Sequence, residues 1–203
     1  MKIQEMRYIY LILSLISLGF SVLGQNTIPA IGVYARGNAR EMKYIEPSVS
    51  LDKSVISPPF EKPVMTIYIE KDRANVVLES QSPEFFFYFP DYKNEKPITI
   101  AEMRSFIKNY PFYYAKSIED FSLIRMFDMK KGRAYRLERE KILSGYYKPM
   151  KEDIIEINAI PLSDSNGYKV SVSSLLSEGE YGFIYNKPTP YGSIVYDFRV
   201  ASE

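Results

Sequence analysis

The sequence predicts a mainly β protein. The expected fold is an antiparallel β-sandwich, immunoglobulin-like or jelly-roll-like, of about ten strands with one short inserted helix near 100–109. Three observations carry this. Phe85, Phe86, Phe87, Tyr88 and Phe89 form an unbroken aromatic run bounded by Pro83 and Pro90. Aromatics favour strands, and an apolar run of this length between turn signals reads as a strand buried on both faces. Proline at each end marks where ladder pairing stops. The rest of the chain is short alternating segments separated by turn residues, and 15% of all residues are aromatic, with 18 Tyr, 12 Phe and no Trp.

Residues 1–24 read as a signal peptide. Lys2 and Arg7 make the positive start, and Ile9 to Leu18 is apolar apart from Ser14 and Ser17. Val22, Leu23 and Gly24 supply the short residues of a cleavage site before Gln25. The apolar core of about 16 residues is shorter than the roughly 20 a spanning helix needs, so no integral membrane span is expected after cleavage. The expected destination is outside the cytoplasm, in the periplasm or beyond the cell. Residues 25–31 read as a linker and 32–203 as one sandwich domain with an insertion at 91–116.

Gly32 to Arg36 and Glu41 to Glu46 form a hairpin candidate around Gly37 and Asn38. The Ser- and Pro-rich stretch 47–63 reads as a loop or edge segment. Val64 to Glu70 is a strand, turned by Lys71, Asp72 and Arg73, with Ala74 to Glu79 returning and the aromatic strand following. Thr99 and Glu102 have capping-box spacing, with Ile98 and Met103 placed as a staple. Phe106, Ile107 and Tyr110 continue a helical stripe that Pro111 is expected to end. Strands resume at Phe121. Lys130, Lys131 and Gly132 turn into Arg133 to Arg139, and Gly145 to Pro149 is a loop. Asp153 to Ile160 and Tyr168 to Ser173 flank a strong turn at 164–167. Gly179 to Tyr185 and Ser193 to Val200 make a last hairpin.

By its closing motifs the chain resembles a loosely defined group of exported bacterial β-sandwich domains. The residues are Gly32 and Tyr34, then Pro83, Phe85 and Tyr88, then Ser117, Asp120 and Phe121, the charged hairpin with Arg133, and Leu176 with Gly179, Glu180, Tyr181. Tyr196, Asp197 and Phe198 complete the series. Glu178 and Arg199 stand where that group often has proline and glycine. The resemblance implies the fold and the export, and no activity.

Composition narrows the chemistry. With no His and no Cys, a Ser-His-Asp triad, a thiol nucleophile and His/Cys metal ligation are all excluded, as is a disulfide framework. No phosphate-cradling glycine motif occurs, so no cofactor is expected. Of 26 Lys+Arg and 25 Asp+Glu, Lys2, Arg7 and Glu5 lie in the signal segment, which leaves 24 of each and argues against nucleic acid as partner. Glu102, Glu119, Asp120 and Asp128 are the loose acidic cluster a carboxylate-dependent hydrolase would draw on, but capping and turn roles explain Glu102 and Asp120 better. The turn at 164–167 is too short for a calcium loop. Lys130, Lys131, Arg133, Arg136 and Arg139 read as a solvated hairpin edge protected by charge. The candidate contact residues are aromatic: Tyr110, Phe112, Tyr113 and Tyr114 after the helix, Tyr146 and Tyr147 in a loop, and Tyr191 between Pro190 and Gly192. Such residues anchor protein partners or stack on sugar rings. The expected function is a non-enzymatic binding protein for an envelope or extracellular protein, with a carbohydrate-binding module as the alternative and a hydrolase as the third.

Overall fold

The structure is a computed structural model. It describes residues 31–36, 41–50, 53–56, 61–90, 109–130, 132–140, 147–187, 189 and 192–201. The signal segment, residues 25–30 of the linker, the body of the expected helix at 100–108, Tyr146 and Tyr191 lie outside those residues.

The fold is mainly β, and its strands form three sheets rather than two. The aromatic sheet runs in the order β13 (Ile157–Pro161), β14 (Gly167–Val172), β7 (Glu84–Tyr88), β1 (Gly32–Arg36), β2 (Lys43–Tyr44). The central sheet runs β12 (Ile154–Ile155), β8 (Phe121–Arg125), β15 (Gly179–Tyr185), β16 (Ser193–Val200), β3 (Ser48–Ser50). The third sheet runs β11 (Tyr147–Pro149), β10 (Arg133–Arg139), β5 (Val64–Ile69), β4 (Lys53–Ile56), with β9 (Phe127–Asp128) also on β10. Every described pair is antiparallel except β6 (Val76–Leu78), which lies parallel to β16.

The main core fills the space between the aromatic and central sheets. Val33, Ala35, Phe85, Phe87 and Val170 face Leu123, Tyr181, Phe183, Tyr196 and Phe198. Phe85 meets Phe183 and Phe198 at 4.8 Å between ring centroids, with Phe183 edge-on, a favoured aromatic geometry. A second core joins the opposite face of the central sheet to the third sheet through Ile124, Met126, Ile184 and Val195 against Ile67, Ile69 and Tyr135.

The sheet-covered strands are therefore β8, β15 and β16. The aromatic strand is buried on both faces too, but by different means. Phe85 and Phe87 point into the core, while Phe86 points outward and is covered by the Arg36 guanidinium 5.0 Å from its ring.

Three connections depart from the expected ones. The strand expected over Asp153 to Ile160 is split, with β12 on β8 of the central sheet and β13 on β14 of the aromatic sheet. β6 does not return against β5; it crosses to the central sheet and pairs with β16. The strand begun at Phe121 changes layers at Met126, so that β8 pairs with β15 and β9 with β10. The short helix α1 (Tyr110–Tyr114) lies just beyond the expected one, with Pro111 in its first turn, where a proline lacks only an N–H that would have had no helical partner. Phe112 on α1 lies 5.1 Å from Phe89, 5.1 Å from Phe121 and 5.4 Å from Tyr196, closing one end of the main core.

Candidate partner-binding surface

Alternation along β1 and β7 dictates where the remaining tyrosines go. With Val33, Ala35, Phe85 and Phe87 turned inward, Tyr34, Phe86 and Tyr88 must occupy the outer face of the aromatic sheet. The pairing Tyr34↔Tyr44 brings the β2 tyrosine beside them. Tyr34 then lies 5.6 Å from Tyr88 with rings at 80°, and 5.2 Å from Tyr44 with rings at 56°. The Tyr44 hydroxyl donates to Asn109 Oδ1 at 3.3 Å, at the start of α1. One turn on, the Tyr110 and Tyr114 rings stack 4.4 Å apart at 27°. Tyr88, Tyr34 and Tyr44 thus form a ring cluster on the sheet face, tied through the buried Asn109 to α1, where Tyr110 packs against the main core and Tyr114 stacks on it; these residues make up the tyrosine strip. Tyr44 is 38% exposed and Tyr114 is 55% exposed.

Burial pushes the Tyr44 hydroxyl up from its ordinary value, against the hydrogen bond to Asn109, and burial likewise raises Tyr88. Both stay neutral and able to donate or accept. Beside the strip, Glu84 is gripped by Lys169 and Arg36, whose hydrogen bonds hold its carboxyl below the usual glutamate range.

The expected contact residues divide by burial. Tyr114 is exposed and Tyr110 half-buried, so both belong to the strip. Phe112 is core, and its assignment as a contact residue is corrected: its ring fills the gap between two sheets. Tyr113 is half-buried on α1. Tyr147 is a strand residue rather than a loop anchor; Arg139 covers its ring at 5.4 Å and donates to its hydroxyl at 3.2 Å. Tyr34, Tyr44 and Tyr88 were not among the expected candidates; alternation puts Tyr34 and Tyr88 opposite Val33, Ala35, Phe85 and Phe87, and only the packing of the sheets decides which of those faces lies outward.

The basic hairpin is also corrected. Arg133 does not face solvent but is completely buried between the central and third sheets. Its Nη1 donates to Glu180 Oε2 at 2.9 Å and lies 2.7 Å from Asp197 Oδ2, and its Nε donates to the Lys71 carbonyl at 3.0 Å. The Ala74 N–H donates to Glu180 Oε2 at 3.1 Å, and Arg199 Nη1 lies 3.6 Å from Glu180 Oε1. Three separated sequence motifs therefore meet in one buried ion cluster. Glu180 and Asp197 are a carboxylate pair, but a shared guanidinium compensates them and neither opens to solvent, so their role is to join two layers.

Elsewhere, Asp120 takes the Lys116 N–H at 2.7 Å and the Lys187 ammonium at 2.6 Å. Among the described residues no three acidic side chains converge as a metal site would require. A cleft of about 280 Å³ opens where β8 passes into β9, lined by Arg125, Met126, Phe127, Arg136 and Asp153. There Arg136 Nη2 donates to both Asp153 oxygens at 3.1 Å, and its guanidinium lies over the Phe127 ring.

Fold and surface together define a three-sheet antiparallel β protein bearing a tyrosine strip. Comparison with protein-family models, with curated proteins and with solved structures finds no match to this chain. Among the described residues no helix is long and apolar enough to cross a membrane.

Proposed function

We propose that this chain is an exported, non-enzymatic binding protein that docks a protein partner of the cell envelope or extracellular space through its tyrosine strip. One observation supports a protein over a sugar: the rings along the sheet face are tilted against each other by 56° and 80°. Sugar rings stack on coplanar platforms, whereas tilted rings with neutral hydroxyls suit an irregular protein surface. The signal-peptide reading of residues 1–24 supports export. The carbohydrate reading draws on the loop tyrosines Tyr113, Tyr114 or Tyr146, and among the described residues Tyr114 is exposed with its ring backed by a nearly parallel Tyr110.

The test is affinity capture of the native exported protein from its own cells, beside a Tyr44→Ser/Tyr114→Ser double variant. A specific stoichiometric protein partner should be retained by the native chain and lost by the variant. The melting temperature should fall by a few degrees without loss of cooperative unfolding, because Tyr114 is exposed while Tyr44 gives up its bond to Asn109 and its packing on Tyr34. Capture unaffected by the double change would reject the strip, and binding to glycans instead would transfer the assignment to the carbohydrate reading.

A further inference from the structure

The far edge of the aromatic sheet lies away from the tyrosine strip, at the opposite margin from β2. β13 is the end strand, and β14 is its neighbour in the sheet order. Two bonds fix the direction of its backbone groups: the Ser173 N–H donates to the Glu156 carbonyl and the Leu162 N–H to the Gly167 carbonyl, both at 3.0 Å. With the register Ile157↔Val172 through Pro161↔Tyr168, the even-numbered residues turn their N–H and C=O toward β14. Ile157 and Ala159 therefore turn both groups to the open edge, and Pro161 turns out its carbonyl.

Natural sheets guard such edges with charge, shortness or proline. β4 carries Lys53, β11 carries Lys148 and Pro149, and β2 and β12 are two residues each. β13 is five residues long and uncharged, and Asn158 to Pro161 are all exposed, Ile160 to 64%.

We infer that two copies of this chain pair antiparallel through β13. The edge is complementary to itself. With Ala159 opposite Ala159 of the second copy, each Ala159 N–H reaches the other's carbonyl, and each Ile157 N–H reaches the carbonyl of Pro161. The missing proline N–H costs nothing at those four bonds, no like charges are brought together, and Ile160 lies across from Asn158. Such a contact closes as a two-fold dimer and stops there. It joins two aromatic sheets edge to edge and leaves the two tyrosine strips at opposite ends, because β2 is the other margin of each sheet. A contact of five residues per copy is small, so the dimer is weak and concentration-dependent.

Sedimentation equilibrium of the protein as its own cells process it, from micromolar to millimolar, tests this. The native chain should pass from monomer to dimer, with amide exchange at Ile157 and Ala159 slowing as dimer forms. Ala159→Pro removes an N–H that faces away from β14, so it should keep the native melting temperature and stay monomeric. Ile160→Lys should weaken the dimer many-fold, and it carries the test should the proline variant not fold. A native chain that remains monomeric throughout overturns the inference, as does a dimer undiminished in these variants.

Discussion

Arg133 shows how far a single residue's role depends on its surroundings. In sequence it continues a run of Lys130, Lys131 and Gly132, and charge on a hairpin is ordinarily solvated. In the fold it lies between two sheets, with two carboxylates and a backbone carbonyl as its partners. Removing the cation alone would strand Glu180 and Asp197 as uncompensated buried charges. Arg133→Met should therefore cost about 3–5 kcal/mol of stability in urea unfolding. Replacing all three residues by apolar ones of similar volume should recover most of that loss, since such replacements are often neutral or better. The contrast between the single and triple changes separates a latch that specifies the layer arrangement from simple packing. Phe112 makes the complementary point: an aromatic beside other aromatics in sequence is core, while Tyr114 two positions on is surface, because two residues of helix, about half a turn, put them on opposite sides.

At the scale of elements, the ladders were readable and the crossovers were not. The antiparallel pairings β1·β2, β13·β14 and β15·β16 follow from alternation and turn residues, while their registers are set by the fold. β6 was placed beside the wrong neighbour because a three-residue turn announces a reversal but not the sheet the next strand joins, and β8 because nothing in the alternation from Phe121 to Asp128 announces a change of layer at Met126; the expected pairing of β9 with β10 does form. The turn into β10 has its own chemical requirement. Gly132 has φ +95°, a Cβ there would run into the Ile69 carbonyl oxygen, and its N–H donates to Asp72 Oδ1 at 3.1 Å. Gly132→Ala should destabilise by about 1–3 kcal/mol through backbone strain, more if β5 must shift. Thermal unfolding of the purified variant checks it, and an unchanged midpoint would show that the turn adapts.

For the whole molecule, two cores on opposite faces of one central sheet hold three layers together without a disulfide. Each core contains a buried tyrosine: burial drives Tyr196 in the main core and Tyr135 in the second well above the ordinary value of 10.0. Both stay protonated in the folded state where the unfolded chain would release the proton. Their contribution is thus complete below pH 10 and is lost progressively as pH rises above it. Unfolding midpoints followed through pH 10 should fall, and Tyr135→Phe should flatten that decline despite losing the bond to Ser193. A parallel decline in the variant would place the alkaline loss elsewhere.

The β class, the aromatic strand, the local hairpins and the lack of thiol or imidazole chemistry were determined by the sequence, because each depends on composition, a two-residue period or a turn a few residues long. The third sheet, the burial of Arg133 with Glu180 and Asp197, and the strip from Tyr88 to Tyr114 were decided only by tertiary structure. Each joins residues tens of positions apart through layer stacking, and no local pattern encodes which face of a strand another sheet will cover.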